Sequence, residues 1–242
     1  MQIVNERDIA MVKTGHGTAK YLVGDPTLEE ANVIIRYWGP QTNLPVHSHP
    51  FDEMWYVLDG EVNFGDQTCV AGTCIFIPAD AAYGPITAPN GVTLLRYASS
   101  GEGAQVDWER IRQRRAVGGS TATVQFVNER DIGVVKTGHG TAKYLVGDPR
   151  QRGPNVIIRY WGPQANLPVH SHPFTEMWYV LEGEVNFGNS VCSLGTCIFI
   201  PADDVYGPIT APKGVILLRY AADGEGAGAR GQLGLKQGAG SR

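Results

Sequence analysis

His47-Ser48-His49-Pro50-Phe51-Asp52-Glu53-Met54-Trp55-Tyr56-Val57-Leu58-Asp59-Gly60 decides how the rest of the chain is read. Two histidines stand at i and i+2, and a carboxylate follows four residues after the second. Side chains at i and i+2 of a strand share a face, so both imidazoles can reach one point. Pro50 bends the chain, and Glu53 can return to that point from the start of the next strand. Two imidazoles and one carboxylate make a facial triad with open positions, a donor set suited to a divalent transition metal. Trp55 shares the face of Glu53 and is expected to point inward, either as core or as a substrate contact, with Tyr56 facing away. Phe76, two residues before Pro78, is expected to line the same interior.

Working outward, the stretch is written twice. His170-Ser171-His172-Pro173-Phe174-Thr175-Glu176-Met177-Trp178-Tyr179-Val180-Leu181-Glu182-Gly183 repeats it at an offset of 123 residues. Asn5 to Ile9 returns as Asn128 to Ile132, and Lys13 to Pro26 as Lys136 to Pro149, with no gap. Roughly four-fifths of the paired positions are identical, which marks duplication of one whole unit and not a solenoid of short repeats. The organisation expected is a first barrel over 1–103, a linker over 104–122, a second barrel over 123–225 and a disordered tail over 226–242. Within the linker, 106–115 has the composition of a short basic helix, and its arginines are expected on a solvated face.

Apolar runs recur about every ten residues. In the first copy they cover 19–23, 32–38, 53–58, 61–64, 74–77 and 92–97. Turn residues bound each one, and no helical period appears within a copy. The spacing predicts an all-β sandwich or barrel. Asp59-Gly60 predicts a tight hairpin between 53–58 and 61–64, since that pair accepts positive φ.

With 43% hydrophobic and 18% charged residues, the chain can bury a core. A net charge of −4 speaks against a nucleic-acid surface. Apolar runs fall short of a membrane span, and Met1 to Asp8 lacks the layout of a secretion signal. A cytoplasmic protein, without membrane or nucleic-acid partners, is therefore expected.

The quoted residues resemble the cupin superfamily. Its first motif, His-x-His, three residues, Glu, six residues, Gly, is matched by His47, His49, Glu53 and Gly60, and again by His170, His172, Glu176 and Gly183. Its second motif opens with Gly, five residues and Pro, matched by Gly72 and Pro78 and by Gly195 and Pro201. The resemblance covers nearly the whole chain and implies a bicupin: two double-stranded β-helix (jelly-roll) barrels, each with a metal inside. It also implies an intrachain pseudo-dimer burying an apolar sheet face, with further self-association open.

The second motif then departs from the family. Asp80 and Asp203 stand where a glycine is usual, and Tyr83 and Tyr206 stand where the family has its third metal-binding histidine. The implied ligands shrink to His47, His49 and Glu53, with His170, His172 and Glu176 in the second copy. Tyrosinate as a fourth ligand, a more open site, and weakened or lost metal binding all stay open.

The expected activity is that of a metal-dependent enzyme on a small organic metabolite, with about one ion per barrel. A non-haem Fe(II) oxygenase is the first expectation, favoured by the facial triad; the alternative is Zn, Mn or Ni as a Lewis acid in an isomerase, lyase or cyclase, with Glu53, Glu176, Tyr83 and Tyr206 moving protons. A non-catalytic metal- or ligand-binding protein is the contrasting reading. His16 and His139, in glycine-flanked turns, either reach over the barrel mouth or are simply solvated. Arg36, Arg96, Arg159 and Arg219 interrupt apolar strands, where structural pairing with a carboxylate is expected ahead of a role in binding an anion. Cys69 and Cys74, with Cys192 and Cys197, are expected as reduced, packed thiols.

Overall fold

The computed structural model describes residues 1–101 and 123–224. The helix expected over 106–115 and the tail over 226–242 lie outside the described residues. Ten strands form in each copy. In the first they are β1 (Gln2–Asn5), β2 (Val12–Thr14), β3 (Gly17–Val23), β4 (Asn32–Trp38), β5 (Asn43–Leu44), β6 (Glu53–Phe64), β7 (Gln67–Val70), β8 (Thr73–Ile77), β9 (Ile86–Thr87) and β10 (Val92–Ala98). In the second they are β11 (Gln125–Asn128), β12 (Val135–Thr137), β13 (Gly140–Val146), β14 (Asn155–Trp161), β15 (Asn166–Leu167), β16 (Glu176–Phe187), β17 (Ser190–Ser193), β18 (Thr196–Ile200), β19 (Ile209–Thr210) and β20 (Val215–Ala221). Single 3-10 turns at Glu6–Asp8 and Glu129–Asp131 are the helical residues among those described.

Each copy folds into an antiparallel sheet that curls into a barrel. The main path of the first runs β11-β8-β6-β10-β4-β3-β2, and that of the second runs β1-β18-β16-β20-β14-β13-β12. The opening strand of each copy is therefore exchanged. Ile3 faces Ile198 across the β1–β18 ladder, and Phe126 faces Ile75 across β11–β8. Asn128 reinforces the exchange by donating from its side-chain nitrogen to the Thr73 hydroxyl at 2.9 Å, as Asn5 does to Thr196.

Alternation along the strands sorts the side chains into two environments. Val33, Ile35, Met54, Tyr56, Cys74, Phe76, Leu95 and Tyr97 pack with their second-copy counterparts into one apolar layer between the barrels. At its centre Tyr97 stacks on Tyr220, ring centroids 4.2 Å apart. Trp38, Trp55, Val57, Phe64, Ile75 and Leu94 face the other way and fill the first barrel, a set mirrored in the second. The exchanged strands contribute here too: Phe126 packs into the first barrel and Ile3 into the second. Trp55 thus lies inside and Tyr56 outside, as expected. Phe76 does not line the interior; it pairs with Met54 across β8–β6 and shares the face between the barrels.

The predicted hairpin at Asp59-Gly60 does not form. β6 is one strand of twelve residues, with a register shift opposite Thr93 and Leu94. Residues 53–56 pair with β8, whereas 61–64 pair with β7. The strand turns a barrel corner by a bulge, a second use of the backbone freedom that also makes Asp-Gly a turn signal. Gly60 sits at φ +78, and a Cβ there would lie 2.3 Å from the Gly91 carbonyl oxygen. Only glycine fits this crossing.

Candidate active site

Three neighbouring strands place the polar residues of each barrel on one inward face. Arg96 on β10 stands opposite Trp55 of β6 and Ile34 of β4. Glu53 and Asn32 lie two residues along those strands, so both come within diagonal reach of the guanidinium. Arg96 Nε donates to Glu53 Oε1 at 2.6 Å, and Nη2 closes a second contact on the same oxygen. Nη1 donates to Asn32 Oδ1 at 3.0 Å. From the other side, the Tyr83 hydroxyl donates to Glu53 Oε2 at 2.6 Å. Glu53 is 0% exposed and Arg96 1%, so the pair has left water entirely.

The second barrel repeats each contact. Arg219 Nε donates to Glu176 Oε1 at 2.6 Å and Nη1 to Asn155 Oδ1 at 3.0 Å, while Tyr206 donates to Glu176 Oε2.

The histidines stand on the solvent side of this network, both half-buried. Backbone bonds tie them to the second motif. His47 N–H donates to the Tyr83 carbonyl at 3.0 Å and Tyr83 N–H returns the bond at 2.9 Å, while Asp80 N–H donates to the His49 carbonyl at 2.7 Å. The His47 and His49 rings meet edge to face with centroids 5.3 Å apart, and the His47 ring lies 4.3 Å from that of Tyr83. His49 stacks on Phe51 at 5.0 Å. Nδ1 of His47 is 2.8 Å from the Pro45 carbonyl, which can only accept. That nitrogen therefore carries the proton, and Nε2 is left as the acceptor.

Asp80 and Asp203, the departures from the family glycine, have φ of +63 and +65. The left-handed turn is kept, and aspartate is among the few side chains that tolerate it.

Charge follows from this geometry. Burial alone would raise the Glu53 pKa, but Arg96, His49 and the bonds from Tyr83 and Arg96 outweigh it and hold the carboxyl below its ordinary range. Glu176 is lowered by the same groups of its own barrel. Burial first, and the adjoining Glu53 carboxylate second, push the Tyr83 phenol well above its ordinary value. The guanidinium of Arg36, on the inward row of β4 with Asn32, is close enough to act on Tyr83 in the opposite sense. Its counterpart Arg159 lies over Trp161 and Trp178, 6.0 and 5.8 Å from the rings.

Whether these residues fit the expected ion turns on Glu53. A carboxylate offers about four lone-pair directions; hydrogen bonds from Arg96 Nε and the Tyr83 hydroxyl take one on each oxygen, and Arg96 Nη2 also lies against Oε1. The Tyr83 phenol gives its hydroxyl proton to Glu53 Oε2. Among the described residues, no group of three or more His, Cys, Asp or Glu converges closely enough to hold a metal ion. The triads expected at His47, His49 and Glu53, and at His170, His172 and Glu176, therefore do not fit a metal centre as folded. Each carboxylate is committed to an arginine and a phenol. Sequence reading missed Asn32 and Asn155; their signal was a polar residue opening an apolar strand four positions before the same inward row's arginine, Arg36 or Arg159.

Other candidates lie apart. His16 and His139 are exposed at the tips of the β2–β3 and β12–β13 hairpins, and the carbonyl of His16 accepts from the Thr42 hydroxyl at 3.2 Å. The four cysteines are free and buried. Cys69 packs inside the barrel and Cys74 between the barrels, and burial pushes the Cys69 thiol up to about 12.

No protein-family model matches the chain, and no curated protein matches it. Solved structures do. A Nostoc punctiforme protein described as a "putative dioxygenase" is 14% identical, with a TM-score of 0.67 over 91% of this chain and 81% of that one. A Bacillus subtilis oxalate decarboxylase, studied for its Mn(II) centres, is 14% identical, with a TM-score of 0.63 over 92% of this chain and 77% of its own. Lactobacillus farciminis oxalate decarboxylase, solved as a formate complex, is 13% identical, with a TM-score of 0.63 over 92% and 86%. At such identities the likeness speaks for architecture, and it agrees with the ladders above: the chain has the bicupin fold, two cupin barrels in one polypeptide.

Proposed function

We propose that the protein is a cupin enzyme that binds a small organic metabolite against the half-buried histidines of each barrel and moves protons on it, in the isomerase, lyase or cyclase class. One observation carries this reading: two half-buried imidazoles set against a buried Tyr–Glu–Arg chain, built alike in both barrels. Clusters of coupled titratable groups are characteristic of catalytic sites. His47, its Nδ1–H held by the Pro45 carbonyl, presents Nε2 as a proton acceptor from the solvent side. Glu53 stays ionised and holds the Tyr83 hydroxyl in a fixed place beside the imidazole, where its oxygen can accept a hydrogen bond from substrate. Arg36 draws an anionic group toward the same end, which favours hydroxy or keto acids. Trp38, Trp55 and Phe64 close the interior against water.

A second reading is the metal-dependent enzyme, an Fe(II) oxygenase or a Zn, Mn or Ni Lewis-acid catalyst. It is favoured by the Pro45 bond, since a histidine with one nitrogen fixed by a carbonyl is how ligand histidines are usually held. The oxalate decarboxylase among the similar structures has Mn(II) centres.

Incubation with hydroxy and keto acids in D2O, followed by NMR, tests the proposal. Conversion or C–H exchange is expected that EDTA and nitrogen leave unchanged and that His47→Ala/His170→Ala abolishes. Turnover abolished by EDTA transfers the assignment to the second reading, and binding without conversion makes the protein a ligand carrier.

A further inference from the structure

The cationic position beside Glu53 is built into the chain. Arg96 is a mid-strand residue of β10, locked between β6 and β4 by hydrogen-bonded ladders on both sides. Its guanidinium meets Glu53 Oε1 through two nitrogens, and Asn32 holds a third nitrogen, so its plane is fixed. Tyr83, standing where the family places its third histidine, donates to the other carboxylate oxygen. A buried carboxylate needs a positive partner, and here that partner is covalently part of the sheet.

We infer that Arg96 and Arg219 are the residues that set ion specificity in the two barrels: each guanidinium occupies the electrostatic place of a divalent metal, and the barrels are thereby closed to one. A divalent ion seated on Glu53 and the two imidazoles would lie against a fixed positive charge, with both carboxylate oxygens already engaged. Asn32 and Asn155 are positioning residues, acting through the arginines they hold. The proposal is independent of which metabolite is bound, so failure to find a substrate does not bear on it.

The test is metal content and Mn(II) uptake, read by elemental analysis and electron paramagnetic resonance. It uses the full chain purified without chelator. Wild-type protein is expected to hold below roughly a tenth of an ion per chain and to give the same Mn(II) titration as His47→Ala/His170→Ala. Arg96→Met/Arg219→Met frees both carboxylates and is expected to gain roughly twentyfold in bound Mn(II), approaching about two ions per chain. Arg96→Gln/Arg219→Gln, which keeps a polar contact to Glu53 and Asn32, provides the same comparison should the methionine variant not fold. Wild-type protein carrying about two ions that vanish in the histidine variant overturns the inference. So does a folded arginine variant that gains none.

Discussion

Glu53 and Arg96 are each costly to bury alone and tolerable together. Removing one partner of such a pair leaves a charge in an apolar interior, a loss of about 3–5 kcal/mol. Arg96→Met is therefore expected to lower the free energy of unfolding by that order in urea titrations, and Glu53→Leu similarly. The double variant should recover most of the loss, since two apolar groups replace two compensated charges; simple additivity of the single losses would contradict the pairing. The same pair sets a response to acid. The folded-state pKa of Glu53 lies below its ordinary value of 4.5, so the stabilisation is complete above that pH and is lost as pH falls below it, toward the lowered folded value. Melting temperature should drop steeply below about pH 4.5 in the wild type and less so in Glu53→Gln/Glu176→Gln, measured by circular dichroism.

At the scale of elements, β6 shows how much of the molecule the sequence carried. Its inward row of Glu53, Trp55 and Val57 was legible from the period of two, and β4 and β10 emerged with nearly their observed bounds. The continuity of β6 through Asp59-Gly60 was not, because positive φ serves a bulge as readily as a turn. Gly60→Ala is expected to cost about 2 kcal/mol or more, from left-handed backbone and from contact with the Gly91 carbonyl, whereas Gly15→Ala, with open space around it, should be nearly silent in thermal melts. The site was half legible for a related reason. Spacing brings His47, His49 and Glu53 to one end of the barrel. The competing claim of Arg96 on the carboxylate depends on the register of β4, β10 and β6, which no local pattern encodes. The short strands β5, β7 and β9, two to four residues each, carry too few side chains for any period to register.

Taken whole, the molecule is two barrels each finished by a strand of the other. Duplication was evident from the repeat; exchange was not, since β1 and β11 are alike in sequence and either could pair at home. Their packing separates the cases. Phe126, in the second copy, lies 5.7 Å from the Phe64 ring of the first barrel. Phe126→Ala should accordingly loosen amide hydrogen exchange in β6 and β8 of the first barrel and leave the equivalent strands of the second protected. The opposite pattern would mean the strand pairs within its own copy. Across the apolar layer, Tyr179 donates to Glu6 at 3.2 Å and Tyr97 stacks on Tyr220, so the two sites sit in one cooperatively packed body. In each barrel the buried carboxylate belongs to its arginine. A crystal structure of the wild-type protein grown in excess Mn(II), with an anomalous map at the manganese edge, tests it most directly. No peak is expected among His47, His49 and Glu53, with Arg96 still in contact with Glu53. A peak there, with Glu53 turned away from Arg96 to meet it, would mean that the carboxylate serves an ion instead.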